Sequence, residues 1–234
     1  MEHIQLGTRE KNKNNFKERK IMYVRLGLAN PKEGMAEDAL NYFRDVAIPV
    51  YDQVSGLLGA AACINNAGQL MAWTTWANND AKESAMEEFQ QNLSGLADLI
   101  TEPPTILEGP MVAGQQYIMV PKDGEDSFFA RFVLGGGTQE GKSYDDVAEF
   151  MTNTVYPAYE DVKGIFASAA CKVGDDTGFS FNFWTSHDAA HAASDVISSI
   201  VSDAVSSLIR EAPQELTGEC TVWKNYVDFP VGKL

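Results

Sequence analysis

The segment Ile48-Pro-Val-Tyr-Asp-Gln-Val-Ser-Gly-Leu-Leu-Gly-Ala-Ala-Ala-Cys63 recurs as Tyr156-Pro-Ala-Tyr-Glu-Asp-Val-Lys-Gly-Ile-Phe-Ala-Ser-Ala-Ala-Cys171, at an offset of 108 residues. Seven of the sixteen aligned positions are identical, whereas unrelated segments of average composition share about one. The same offset relates Trp76 to Trp184. Self-similarity at a constant offset indicates an internal duplication.

Each copy predicts the same order of secondary structure elements. Tyr23–Ala29 alternates with period two, as a half-buried strand does, and apolar residues from Ala36 to Val54 recur at helical spacing. The first copy is predicted to hold a strand at 23–29, a helix at 36–54, strands at 57–64 and 69–76, a helix near 79–100 and a strand near 105–113. The second copy follows the same plan and ends in a helix near 187–210 and a strand near 215–226. The order β-α-β-β-α-β, twice, predicts an α+β protein of two tandem ferredoxin-like units.

Proline and glycine positions refine these predictions. Pro49 and Pro157 fall near the end of the first helix of each copy, where a kink or break is expected. Pro213 is expected to end the second helix of the second copy. The run Gly135–Gly137 lacks the Lys-Ser/Thr ending of a phosphate loop, and it is predicted to be a turn.

The composition excludes several classes of protein. Of the 234 residues, 44% are hydrophobic and 22% are charged, as in ordinary globular domains. No apolar run approaches the roughly 18 residues of a membrane span. The formal net charge of -15 repels nucleic acid phosphates and anionic membranes, so neither is expected as a partner.

The cysteines and the first residues give two further expectations. Cys63, Cys171 and Cys220 follow no metal-binding spacing and are too few for a disulfide framework. A reduced, cytoplasmic protein is therefore expected. Residues 1–21 are rich in Asn and Lys and have almost no apolar pattern, which predicts a disordered leader.

A family resemblance emerges from these features taken together. In each copy a kinked first helix carries a proline seven residues before a glycine, a strand ends in Trp76 or Trp184, and a capped second helix follows. This pattern resembles the antibiotic-biosynthesis-monooxygenase-like superfamily of dimeric α/β barrels. Members usually pair two identical chains, so the resemblance implies that this chain pairs its own copies as a single-chain dimeric α/β barrel. The implied organisation is a leader at 1–21, a first repeat at 22–113, a linker at 114–127 and a second repeat at 128–234.

The second repeat holds the candidate site. Period-two alternation along Gly178–Trp184 puts Asn182 and Trp184 on one face of a strand, with His187 directly after it. This set resembles the Asn/Trp/His equipment of cofactor-independent monooxygenases and of haem-degrading relatives. Arg131, in the middle of the first strand of this repeat, is the fourth candidate, since it could orient an anionic or enolate substrate. The first repeat offers Thr74, Trp76 and Asn79 instead and lacks the set.

Two functions remain open on the sequence alone. The first is oxygenation of an electron-rich aromatic substrate without a cofactor, in which Trp184 shapes the pocket, Asn182 holds an oxyanion, and His187 or Arg131 assists deprotonation. The second is a non-catalytic ligand-binding or stress-response-type barrel with a pocket for a small apolar or aromatic molecule. Haem is a weaker alternative because no histidine lies mid-helix, where the haem-degrading relatives keep theirs.

The remaining candidates have structural interpretations. His187 and His191 share a helix face, but two ligands do not make a metal site, so neither metal nor cofactor is expected. Arg25 and Arg131 occupy matching strand positions, where a salt bridge is the structural alternative to substrate binding. A monomer with an internal pseudo-dimer or a higher homo-oligomer is expected.

Overall fold

The computed structural model describes residues 21–118, 120, 127–229 and 231–234. The predicted leader, apart from Ile21, and most of the second half of the predicted linker therefore lie outside the described residues. The first repeat consists of β1 (Tyr23–Ala29), α1 (Ala36–Tyr42), α2 (Ile48–Tyr51), β2 (Leu57–Ile64), β3 (Leu70–Trp76), α3 (Asn79–Asn92) and β4 (Thr105–Gln116). The second consists of β5 (Phe128–Thr138), α4 (Tyr144–Phe150), α5 (Tyr156–Tyr159), β6 (Ile165–Lys172), β7 (Gly178–Trp184), α6 (His187–Leu208) and β8 (Ile209–Cys220), followed by β9 (Val222–Asn225) and β10 (Gly232–Lys233). The predicted order of elements is confirmed in both copies.

The first helix of each repeat is interrupted by a π-helical turn. These turns, Phe43–Ala47 and Met151–Val155, separate α1 from α2 and α4 from α5 and stand just before Pro49 and Pro157. Proline has no N–H and its ring crowds the carbonyl four residues earlier, so a normal α-helix cannot run through it undisturbed. In a π-helical turn each backbone N–H bonds to the carbonyl five residues earlier, which shifts the hydrogen-bond register before the proline. The predicted interruption thus takes the same π-helical form twice.

All the named strands belong to one curled sheet. The path runs β8-β5-β7-β6-β4-β1-β3-β2-β9, and β10 pairs with β4 beside it. The first half of β4 pairs with β1 of its own repeat, and the second half, from Met111 onward, pairs with β6 of the other repeat. At the other end, β8 pairs with β5 and β9 pairs with β2, while only Thr221 separates β8 from β9 along the chain. The two repeats therefore share strands on both sides, and the path curls back on itself.

Three apolar clusters fill the molecule. The central one lies between the two half-sheets and is rich in aromatic rings, among them Trp73, Phe132 and Phe181. The other two lie between each half-sheet and its own helices. Phe181 faces the central cluster whereas Trp184 packs under the helices of the second repeat, which confirms the alternation predicted along β7.

Three local features differ from the sequence-based picture. The strand β4 continues to Gln116, three residues into the segment expected to be a linker. The prediction that Pro213 ends a helix is wrong, because α6 ends at Leu208 and Pro213 lies inside β8, at a register shift against β5. An edge strand with a bulge is where a sheet tolerates a residue that has no N–H.

The prediction of a turn at Gly135–Gly137 is also wrong. All three glycines lie inside β5. A Cβ atom on Gly136 would collide with the backbone of Glu211 on β8, and Gly137 has a φ of 75°. The glycines therefore allow a close approach of two strands and a left-handed backbone, neither of which a side chain would permit here.

Candidate functional site

The candidate site is built on three neighbouring strands of the second repeat. Arg131 on β5 is paired in register with Asn182 on β7, and Asn182 is paired with Ser168 on β6. Neighbouring strands lie about 4.8 Å apart, so these residues form a row roughly 10 Å wide. Trp184 follows Asn182 by two positions and shares its face, which is covered by the helices of this repeat. The sheet thus brings together three of the four residues predicted from the sequence.

Polar atoms at this row are buried without hydrogen-bond partners. The set consists of Arg131 Nε, Asn182 Oδ1, Trp184 Nε1 and the hydroxyls of Tyr156 and Ser168, and these two hydroxyls lie close enough to interact with each other. Ser168 and Trp184 are fully buried, and Asn182 and Tyr156 are each 5% exposed. An unpaired buried polar atom costs about 1–3 kcal/mol, and native proteins contain few of them. All the unpaired buried side-chain atoms found among the described residues belong to the second repeat.

Arg131 is held by a partner at the edge of the site. Its Nη2 donates to Glu215 Oε2 at 2.6 Å, and the Glu215 side chain is 48% exposed. The structural interpretation of Arg131 as an ion-pair residue therefore holds for this end of the guanidinium, while its Nε remains unpaired. Tyr159 lies nearby: burial raises its pKa to about 12, although the Arg131 charge acts in the opposite direction. Its hydroxyl is protonated at neutral pH.

His187 stands apart from the other three residues. It is the first residue of α6, its side chain is 69% exposed, and its ring packs edge-on against Phe129 with centroids 5.1 Å apart. Its ring centroid lies 6.3 Å from that of His191. Within the described part of the chain, no group of three or more His, Cys, Asp or Glu side chains is arranged to hold a metal ion. His187 is therefore a residue of the solvent-facing rim.

The first repeat satisfies the equivalent atoms internally. Thr74, the counterpart of Asn182, accepts a hydrogen bond of 2.9 Å from Trp76 Nε1. Ala60 stands in place of Ser168 and Ile48 in place of Tyr156. The polar residues that leave atoms unpaired in one repeat are thus replaced by apolar or self-paired residues in the other.

The counterpart of Arg131 belongs to a charge cluster that the sequence did not reveal. Arg25 Nε donates to Glu108 Oε2 at 3.1 Å, and Lys82 Nζ donates to Glu108 Oε1 at 2.7 Å and also pairs with Glu83 at 2.9 Å. The Lys82 side chain is only 2% exposed and its ammonium lies 4.8 Å from the centre of the Tyr23 ring. Burial opposes its charge, but the hydrogen bonds to both carboxylates outweigh this and raise its pKa. Only the fold reveals this cluster, since Arg25, Lys82 and Glu108 are far apart in the sequence.

The first repeat also contains two adjoining cavities between sheet and helices. The smaller, of about 130 Å³, lies over β1 and β3 beneath α1 and α2, and the larger, of about 480 Å³, lies between α3 and the residues that follow it. Both are lined by Arg25, Tyr51, Leu93, Leu96 and Pro104. The larger falls within the usual size range of small-molecule pockets. The sequence placed the candidate pocket in the second repeat, so a cavity in the first is an addition from the structure.

The comparisons with known proteins bear on the fold. No protein-family model and no curated protein sequence matches the chain. Among solved structures, a proposed monooxygenase of Fusobacterium nucleatum superposes with a TM-score of 0.71 at 9% identity, covering 89% of this chain and 97% of that one. An anthrone oxidase-like protein superposes with a TM-score of 0.63 at 14% identity, covering 89% and 94%. A proposed chlorite dismutase superposes with a TM-score of 0.56 at 12% identity, covering 86% and 95%.

These similarities extend over nearly the whole length of each solved structure. At such low sequence identities they show a shared fold and no more. In the part of the chain that the structure describes, no helix is long and apolar enough to cross a membrane. The curled antiparallel sheet with helices on its outer face is common to this chain and to those structures. The protein therefore has the dimeric α/β-barrel fold, with both halves of the barrel carried on one chain.

Proposed function

We propose that the protein binds an electron-rich aromatic molecule in the second repeat and oxygenates it with O₂ as the only co-substrate. The observation that carries the proposal is the set of unpaired polar atoms on one face of the sheet: Arg131 Nε, Asn182 Oδ1 and Trp184 Nε1. A bound molecule that partners them regains the free energy that their burial costs. The neighbours described as monooxygenases and as anthrone oxidase-like support the choice of reaction only through their shared fold.

The proposed chemistry follows from the residue types in the row. A phenol or enol that loses its proton becomes an oxyanion, which accepts hydrogen bonds from the N–H groups of Arg131 and Trp184. The Arg131 charge stabilises this anion more than the neutral molecule, since opposite charges attract more strongly in a buried site. In a substrate that carries a second hydroxyl, the Asn182 carbonyl oxygen accepts a hydrogen bond from it. The released proton leaves to solvent at the rim of the site, where His187 is exposed.

The proposed oxygenation needs no oxidant or reductant other than O₂ and the substrate. In the oxidation of an activated ring methylene, CH₂ and O₂ give C=O and H₂O, so that one oxygen atom enters the substrate and the other leaves as water. The substrate supplies all the electrons. The task of the protein is to hold the anion and to exclude water from it.

Anthrone is a suitable first substrate, because it carries one such methylene and its enol form is a phenol. We expect protein-dependent O₂ uptake with formation of anthraquinone and water. Asn182→Thr, which installs the residue of the first repeat, should engage the Trp184 N–H as Thr74 engages that of Trp76, so that the oxyanion loses one donor and kcat/KM falls by roughly 10²-fold. Trp184→Phe should lower it similarly, and His187→Ala, on the exposed rim, much less.

The control for these assays is Thr74→Val in the first repeat, which removes a hydroxyl at the matching position outside the proposed site. Turnover that is equal in wild type and in a folded Asn182→Thr variant, or no O₂ uptake above the uncatalysed rate with anthrone, contradicts the proposal.

The cavities of the first repeat favour a second candidate, a non-catalytic ligand-binding barrel. They supply room for a ligand, at about 480 Å³ for the larger, whereas the equivalent polar atoms there are already paired. Native mass spectrometry of the freshly purified protein distinguishes the two, because a co-purified molecule retained without turnover on adding O₂ supports this candidate.

A further inference from the structure

We infer that the first repeat contains a second binding site, independent of the proposed oxygenation, for a neutral aromatic molecule that carries one acceptor oxygen. The site consists of the two cavities that meet at Arg25 and Tyr51. It is separate from the row of polar residues on β5, β6 and β7, which lies under the helices of the other repeat.

The smaller cavity exists because small residues replace larger ones at matching positions. The strand registers place Gly27 where the second repeat has Val133, since Arg25 pairs with Thr74 as Arg131 pairs with Asn182. In the first π-helical turn, Ala47 stands where the second has Val155. Gly27 and Ala47 both line the cavity. At both positions the first repeat therefore carries a smaller side chain beside this cavity than the second repeat carries at the matching place.

The larger cavity exists because the second helix of the first repeat is broken. The helix α3 ends at Asn92 after 14 residues and gives way to a 3₁₀ turn at Ser94–Asp98, whereas α6 runs for 22 residues. Gly95 lies in this turn, with the Tyr42 ring so close that a Cβ atom would stand 3.0 Å from it. The break carries Leu93 and Leu96 to the wall that both cavities share. Two unrelated changes in sequence therefore enlarge the same space.

The polar lining determines the chemical class of the ligand. Arg25 contacts both cavities, and its Nε is occupied by Glu108, so the Nη groups are the donors that a ligand can reach. The positive charges of Arg25 and Lys82 are balanced by the carboxylates of Glu108 and Glu83, which are bonded to them. A locally balanced cluster in a chain of net charge -15 favours a neutral acceptor such as a ketone over a carboxylate. Burial raises the pKa of Tyr51, so its hydroxyl also enters the site uncharged.

The remaining lining holds the polar side chains of Thr74, Ser94, Thr101 and Glu102, whose carboxylate also disfavours an anionic ligand, and is otherwise mostly apolar or aromatic. The apolar and aromatic residues include Phe43, Phe89, Met86, Leu70, Ile100 and Ile106. Such a lining binds a flat apolar body, and one polar contact at the end fixes its orientation.

The test uses two probes of the same shape, 2-acetonaphthone and 2-naphthoate, titrated into the full chain by isothermal calorimetry. We expect one 2-acetonaphthone per chain, bound at least tenfold more tightly than 2-naphthoate. The double variant Gly27→Val/Ala47→Val, which carries the residues of the second repeat, should weaken 2-acetonaphthone binding at least tenfold. A Cβ atom at Gly27 meets its nearest neighbour, Ile106 Cδ1, at 3.5 Å, an ordinary contact, so the variant should fold.

The matched control is Asn182→Thr in the second repeat, which should leave 2-acetonaphthone binding unchanged. Circular dichroism checks that each variant is folded. If the double variant fails to fold, Leu96→Phe fills the wall between the cavities and should produce the same loss. Unweakened binding in a folded filled variant, loss of binding in Asn182→Thr, or no binding of 2-acetonaphthone by the wild type each overturns the inference. Because the oxygenation assay depends on Asn182 and this titration does not, the two proposals can fail separately.

Discussion

Replacing Asn182 with threonine should stabilise the protein while it lowers the proposed activity. In the first repeat Thr74 accepts a hydrogen bond from the Trp76 indole, whereas in the second both Asn182 Oδ1 and Trp184 Nε1 are buried and unpaired. Asn182→Thr removes one unpaired acceptor and gives the indole N–H of Trp184 a partner. Most substitutions of buried residues destabilise, so a gain here is a distinctive result.

The magnitude follows from the cost of unpaired polar atoms. The substitution removes the cost of two unpaired buried atoms, about 1–3 kcal/mol each, and poorer packing of the slightly smaller side chain offsets part of this gain in stability. We expect a net increase of about 2 kcal/mol in the free energy of unfolding, or a rise of about 6 °C in Tm for a chain of this size. The reverse change in the first repeat, Thr74→Asn, should lower stability by about the same amount, because it leaves the Trp76 indole without its present acceptor.

The assay is urea unfolding followed by circular dichroism and by tryptophan fluorescence, whose agreement checks two-state behaviour. A double-mutant cycle with Trp184→Phe isolates the new hydrogen bond, since threonine should stabilise the protein more when Trp184 is present than in the Trp184→Phe background. The reasoning is refuted if Asn182→Thr is less stable than wild type, or if the gain is the same in both backgrounds.

Two further predictions concern charged residues outside the proposed site. Lys82→Met should lower the free energy of unfolding by about 2 kcal/mol in urea titrations. This is less than the loss of a partner from a fully buried ion pair costs, because Glu108 is partly exposed and keeps its bond to Arg25. An unchanged unfolding midpoint would show that the ion pair of Lys82 contributes nothing. The Ser143 backbone N–H and hydroxyl hold the pKa of Asp146 below its ordinary value of 3.8, so its stabilising effect is complete above about pH 4 and is lost as the pH falls through the lowered folded-state pKa. Asp146→Asn should therefore lower Tm at pH 7, and the difference from wild type should shrink as the pH falls below about 4; a difference that is constant with pH would contradict this.

Much of the fold could be predicted because its determinants are local. The alternation that points Phe181 inward and Trp184 toward the helices can be read from neighbouring residues of one strand. The π-helical turns likewise stand beside prolines that are visible in the sequence. The candidate row was found in part for the same reason: Asn182 and Trp184 lie two positions apart on one strand. Ser168 and Tyr156 were missed, although their replacement by Ala60 and Ile48 in the other repeat was a signal that the sequence carried.

Other features had no local signal. Pro213 had the appearance of a helix terminator, but whether a proline ends a helix or occupies an edge strand depends on which strand pairs beside it. The glycines at 135–137 likewise depend on the approach of β8. His187 was placed near the row by its sequence distance from Trp184, yet the start of α6 directs it toward solvent.

By itself the sequence determined that the chain is a duplication, that each copy has the order β-α-β-β-α-β, and which faces of the strands are apolar, because repeats and periodicity are properties of neighbouring residues. The tertiary structure alone decided which polar atoms find partners. Thr74 and Asn182 occupy matching positions, and only three-dimensional contact reveals that one is paired with its tryptophan and the other is not. It also decided where space remains, since a cavity is the volume left between elements far apart in the chain.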